Sequence, residues 1–393
     1  MDRARKNVLV LAACQALLFT HNVILISING LAGFALAEVK ALATLPVTAY
    51  VVGGALSTLP ASFWMKRVGR RAGFMTGAAF GFAGAAVCTL AVHLESFWTL
   101  CLGTLVAGVY NAFGQYYRFA AAETASLDFK SKAISLVMAG GIAGGVLGPE
   151  SSKLTLDLLW APYMGSYASL MGFSVIAMLL SRFIDIPPME EHERRVAGRP
   201  LSRIMAQPAF AVAVLSAMVG YGVMNLLMTA TPIAMTQYHH PYHDAAFVIE
   251  WHVIGMFAPS FVTGSLIQRF GVVPVILTGV ALMFACVGVA LAGVAVMNFW
   301  LALFLLGVGW NFMFVGGTTL LTETHTPAER AKTQGVNDFL IFLTLATSSF
   351  SSGVLISGQG WQLLNLWSLP FLLVTGTAAA WLLLQRRAGR LAA

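Results

Sequence analysis

The feature that most constrains this chain is a succession of apolar runs. Each is about 20 residues long, the length that crosses the hydrocarbon core of a bilayer as a helix. They fall at 8–33, 42–64, 74–94, 97–122, 134–158, 161–182, 208–232, 245–267, 273–295, 298–321, 336–357 and 362–385. Twelve such runs predict an all-α membrane protein. Composition agrees: 58% of the residues are hydrophobic and 10% charged, where a water-soluble domain carries roughly 25% charged residues. At a mean hydropathy of +0.79, one water-facing globule could not hide the apolar surface, whereas a lipid-facing side chain escapes water without a protein partner.

The net charge of +7 could suggest nucleic acid, but the placement of the charges argues otherwise and predicts no nucleic-acid partner. Of 23 Lys and Arg, 20 lie at the N-terminus, in alternate loops or at the C-terminus. Among them are Arg3, Arg5 and Lys6; Lys66, Arg67, Arg70 and Arg71; Arg194, Arg195 and Arg199; and Arg386, Arg387 and Arg390. The opposite loops hold Lys40 and Lys153, and Arg118 lies within a span. This positive-inside bias places both termini in the cytoplasm, as an even number of spans requires. The first apolar run is too long for a cleavable signal and leads directly into the next span. Cys14, Cys88, Cys101 and Cys286 fall in or near spans without a CxxC; they read as small buried residues.

One polar stretch, IPPMEEHERRVAGRP, interrupts the pattern. It marks 185–207 as a cytoplasmic linker between two six-helix bundles, 1–184 and 208–393. The halves repeat each other. Asn111, Glu123 and Thr124 recur as Asn311, Glu323 and Thr324, and Lys132 as Lys332. The loop after span 2 reads SFWMKRVGRR and the loop after span 8 reads GSLIQRFG, both with Arg-x-Gly. This arrangement resembles the major facilitator superfamily, whose loop pattern is Gly-x-x-x-Asp-Arg-x-Gly-Arg-Arg. Arg67, Gly69, Arg70 and Arg71 match it, while Ser62 stands for the Gly and Lys66 for the Asp; Gln268 takes the Asp position in the second copy. The resemblance implies twelve transmembrane helices in two pseudo-symmetric bundles, with a substrate site near the membrane midplane. Span 5 carries GGIAGGVLGP. Its small residues at four-residue spacing allow close helix approach; a similar Gly-Pro motif occurs in the superfamily's proton antiporters, but packing plus a hinge suffices to explain it.

Spans 7 and 8 concentrate sulfur and imidazole. Met224 and Met228 share one helix face, and so do His252 and Met256. Three thioethers and an imidazole, with no carboxylate, form a soft set that selects Cu(I) over Mg, Ca or Mn. Chance alone supplies roughly 0.7 Met-x-x-x-Met and roughly 0.35 His-x-x-x-Met pairs in a chain of this content, and Met also fills gaps in apolar cores. A histidine inside a span is nevertheless costly and points to function. The two pairs, on these two spans, are similar to the signature of the CcoA-like (CalT) family, bacterial inner-membrane copper importers that supply the cbb3-type cytochrome oxidase. The resemblance implies Met224, Met228, His252 and Met256 as ligands of transported copper, with no resident cofactor, and with periplasmic or cytoplasmic copper chaperones as candidate partners of a monomer in the inner membrane. Relatives implicated in riboflavin uptake lack the pair, so its presence favours copper.

Other residues extend this reading. Met235, His239, His240 and His243 could form an approach path at the periplasmic mouth, or a plain solvated loop. His21 and Asn22 lie opposite Met224 and Asn225 when the halves are aligned; His21 is a candidate further ligand or proton carrier, or a histidine bonded to its neighbours. Arg118 needs a partner, for which Glu123 and Glu150 are candidates. Glu250 and Asp338 are candidate coupling residues. No P-loop, GxSxG or HExxH occurs, which predicts a protein that is neither an ATP-driven pump nor an enzyme. Two alternatives stand beside copper import: a transporter of an organic solute such as riboflavin, with Tyr110, Tyr116, Tyr117, Trp251 and Trp310 lining its cavity, and a membrane copper-binding assembly or sensor protein.

Overall fold

A computed structural model describes residues 3–39, 42, 45–187 and 198–389. Among them, every regular element is helical. In chain order they are α1 (Arg3–Leu36), α2 (Leu45–Val68), α3 (Arg70–His93), α4 (Phe97–Gly114), α5 (Tyr117–Thr124), α6 (Lys130–Thr155), α7 (Met164–Ser181), α8 (Leu201–Met205), α9 (Pro208–Gln237), α10 (Tyr242–Phe257), α11 (Ser260–Phe270), α12 (Val272–Ala292), α13 (Val296–Leu321), α14 (Arg330–Leu366) and α15 (Leu369–Arg387). Eleven spans among the described residues are long and apolar enough to cross a bilayer. The twelfth expected span is α2, 24 residues long, whose Thr48, Ser57, Thr58 and Ser62 dilute its hydropathy. The protein is therefore a multi-pass helical membrane protein. Of the expected linker 185–207, residues 188–197 lie outside the described residues.

Span boundaries have local causes. Span 4 is interrupted at Gln115–Tyr116, between α4 and α5, and span 8 at Ala258–Pro259, between α10 and α11. In span 8 the break falls at Pro259, which has no backbone N–H to donate to the preceding turn. Long α14 bends at Gly360, whose φ of 77° is non-helical, and this bend separates spans 11 and 12. The repeated Arg-x-Gly has a backbone reason. Gly69 (φ 85°) joins α2 to α3 and Gly271 (φ 89°) joins α11 to α12, in a region where a Cβ is strained.

Packing divides the chain into two compact units, one of Met1–Ala125, Leu136–Gly198 and Thr326–Phe342, the other of Ser126–Ser135, Arg199–His325 and Leu343–Ala393. In the first, the span 5 glycines do what close packing requires: Gly140, Gly144 and Gly148 lie against Ala12, Ala16 and Val23 of α1. Gly53 of α2 and Gly108 of α4 meet each other's backbone through Leu105 and Tyr50. In the second unit the equivalent crossing joins α10 and α13. A methyl built on Gly307 would lie 2.6 Å from the His252 carbonyl oxygen, and one on Gly255 would lie 2.9 Å from that of Phe304. Small residues allow this approach where hydrocarbon supplies no hydrophobic drive between helices.

Candidate functional site

The α10–α13 crossing fixes the sulfur and imidazole residues of the second unit. His252 is fully buried. Its Nδ1 lies 2.7 Å from the Leu303 carbonyl on α13, while Nε2 has no hydrogen-bond partner among the described residues. Met256, buried, presents its carbonyl to Asn311 Nδ2 at 2.7 Å. Met224 is buried on α9 and Met228 half-buried. The imidazole is thus held to the backbone of α13. No group of three or more His, Cys, Asp or Glu that could hold a metal occurs among the described residues.

Of the residues around the end of α9, Met235 is completely buried, and its carbonyl accepts from the His240 backbone N–H at 2.9 Å. His239 is exposed at φ 62°. His240 turns its Nε2 to the Val294 carbonyl, 2.7 Å away. His243 stays exposed, 3.2 Å from Asp244, and Glu250 is exposed. His21 is buried edge-on against Tyr110, with ring centroids 5.2 Å apart. The expected aromatic lining is also packed inward. Tyr117 lies against Phe74, and Trp310 stacks on Phe314 with Tyr221 and Phe257 at its edges; Trp251 is the partly exposed one, edge-on to Trp300.

The first unit holds a continuous polar ladder. The Tyr50 hydroxyl donates to Asn22 Oδ1. Asn22 Nδ2 and Gln115 Nε2 each donate to Asn111 Oδ1 at 3.2 Å. Arg118 Nη1 donates to Gln115 Oε1 at 2.7 Å, and its Nη2 forms an ion pair with Asp338 Oδ1. Asn337 Nδ2 donates to the same oxygen at 2.9 Å. Both ion-pair members are at most 2% exposed, whereas Asn22 and Gln115 are half-buried. The ladder thus ties a buried charge pair to two amides with open faces. Asp338 Oδ2 has no hydrogen-bond partner among the described residues.

The expected partners of Arg118 are corrected by this geometry. Glu123 pairs with Arg70 and with Arg330 (2.9 Å), and Glu150 with Lys153 (2.8 Å). Asp338 lies 220 residues from Arg118, and nothing in the local sequence could join them. Tyr50 and Gln115 were not among the expected residues. The signal for Gln115 was present: Asn111, Gln115 and Arg118 stand at i, i+4 and i+7, one stripe of a helix. The repeat position has a different task. Asn311 is fully buried and saturated, bonding Met256 O, Ser260 Oγ and Thr263 Oγ1 across the break in span 8.

The Major Facilitator Superfamily model matches residues 8–249 and 213–392. The chain belongs to the major facilitator superfamily. It is 42% identical over 368 residues to the riboflavin transporter RfnT of Brucella anthropi, covering 92% of each chain. It is 26% identical to an uncharacterized superfamily transporter, YddS, of Bacillus subtilis, over 82% of this chain and 78% of that one. Solved structures share the fold: the human organic anion transporter MFSD10 with a TM-score of 0.80 at 14% identity, over 96% of this chain and all of that one, and the Escherichia coli fucose:proton symporter FucP with 0.76 at 16%, over 97% and 99%. The superfamily and its relatives are transporters, not enzymes.

The expectation of copper import is overturned by the RfnT similarity, which spans nearly the full length of both chains. Supply to cytochrome oxidase assembly falls with it. The physical reason the motif misled is that i, i+4 spacing fixes a face of each helix but not what that face meets. His252 meets a backbone carbonyl, and a thioether fills apolar space as readily as it binds a soft ion.

Proposed function

We propose that the chain is a secondary transporter that carries a small organic solute of riboflavin's class across the bacterial inner membrane into the cytoplasm. The observation that carries this reading is the 42% identity to RfnT over 92% of both chains. The basic loops support a topology with both termini cytoplasmic. In this reading the halves 1–184 and 208–393, joined by 185–207, rock alternately about the solute. The half-buried amides of Asn22 and Gln115 favour a solute rich in hydroxyl and carbonyl groups. Each amide bonds once through its oxygen and once through its nitrogen within the ladder, which leaves one N–H on each for a solute or water. Asp338, a carboxylate within a span and opposite Arg118, is the residue we assign to ion coupling.

The test is growth of a riboflavin-requiring bacterium that lacks its own uptake system. Cells expressing the chain grow at riboflavin concentrations that leave empty-vector cells starved, and Asn22→Ala raises the concentration needed. Equal growth with and without the membrane-inserted chain would refute the assignment.

A further inference from the structure

The turn between α2 and α3 carries a feature outside the polar ladder. An open cleft there is lined by Lys66, Gly69, Arg70, Pro187 and Arg330, with Glu123 as the one carboxylate among the described residues. Among these described residues three cations face one anion. Glu123 is already shared, accepting from Arg70 Nε at 3.1 Å and from Arg330 Nη1 at 2.9 Å. Two donors remain poorly used. The acceptor of Arg70 Nη1 is the Met65 thioether sulfur at 3.5 Å, although Arg70 is 7% exposed. That of Lys66 Nζ is the Ala328 carbonyl at 3.4 Å. A guanidinium nitrogen buried against a weak sulfur acceptor is a donor in want of an anion.

The backbone adds to the same field. Gly69 is the N-cap of α3, a helix of 24 residues, and no side chain caps it. The first-turn N–H groups of a long helix carry partial positive charge and bind phosphate-type anions. Lys66 occupies the position where the superfamily's loop pattern has an aspartate, so the charge of the cleft is two units more positive than that pattern would give.

We propose that this cleft binds the phosphate group of an anionic ligand on the face that the charge distribution assigns to the cytoplasm. Lys66 and Arg70 Nη1 contact the phosphate oxygens, and Arg330 and Glu123 hold Arg70 in place. The phosphate belongs either to an anionic phospholipid headgroup or to a free phosphate compound. Occupancy ties the α2–α3 turn to the start of α14, where Arg70 Nη2 already bonds Gln334 at 2.9 Å. The proposal is independent of which solute is carried.

The experiment uses the full chain purified in neutral detergent, as wild type, Lys66→Gln, Lys66→Asp and Arg71→Gln, each with a matched gel-filtration profile. Thermal unfolding is followed with inorganic phosphate against chloride at equal ionic strength. It is then repeated with phosphatidylglycerol against phosphatidylcholine. A rise of about 2–4 °C with phosphate at saturation, lost in both Lys66 variants and kept in exposed Arg71→Gln, identifies a free-phosphate site. The same pattern with phosphatidylglycerol alone identifies a headgroup site. No shift with either ligand, or an equal loss in Arg71→Gln, overturns the proposal, the latter by showing general surface charge to be the cause.

Discussion

Removing the carboxylate of Asp338 tests whether the ion pair inside the first unit is structural as well as functional. Arg118 and Asp338 are 2% and 1% exposed, so neither charge has water to fall back on. Asp338 accepts from Arg118 and from Asn337. Asp338→Leu therefore leaves a buried guanidinium with Gln115 as its remaining ladder partner, and breaking a buried pair from one side costs about 3–5 kcal/mol. Arg118→Leu, which strands the carboxylate, costs a similar amount. The double variant removes both charges and their desolvation together, so it is expected to unfold no more easily than either single variant. The cycle then gives a coupling energy of about 3 kcal/mol or more, where independent sites would give about zero within 0.5 kcal/mol. The measurement is denaturant unfolding of all four proteins in one detergent. Additive losses would refute the reasoning, because they would mean that the two side chains do not sense each other.

Three further outcomes follow from the geometry. Met224→Leu and Met228→Leu are near volume-conserving, so each is expected to keep riboflavin uptake within about two-fold; abolished uptake would return these residues to the transport site. Asn22→Ala and Gln115→Ala each remove an amide with an open face, and one lost hydrogen bond of about 1 kcal/mol corresponds to about a five-fold rise in KM for uptake; an unchanged KM would separate the ladder from the solute. Gly307→Leu drives a side chain into the His252 carbonyl and the Met256 nitrogen, and is expected to abolish folded protein in a detergent-resistant fluorescence assay, whereas Gly288→Ala, which meets open space, is tolerated.

The fold was legible because its signals are local. Apolar run length gave the spans, and the repeated Arg-x-Gly marked Gly69 and Gly271, two positive-φ junctions in equivalent places. The candidate site was legible only in part. Asn111 and Asn311 look alike in sequence, yet one joins a ladder ending at half-buried amides and the other is a saturated clamp. The difference lies in what the neighbouring helices present: Asn22 and Gln115 in one unit, and a broken span 8 in the other. The partner of Arg118 lay on a distant helix, beyond the reach of spacing arguments. The methionine and histidine pairs show the opposite error. Their spacing was real, but the His252 imidazole turns to α13 because Gly255 and Gly307 bring that backbone within reach.

The most direct test of the central claim is uptake of radiolabelled riboflavin into proteoliposomes holding the purified chain. The account predicts saturable accumulation that unlabelled riboflavin competes away, and that Asp338→Asn loses uphill uptake while keeping exchange of labelled for unlabelled solute. Empty-liposome levels of riboflavin, alongside accumulation of copper that Met228→Leu abolishes, would contradict it.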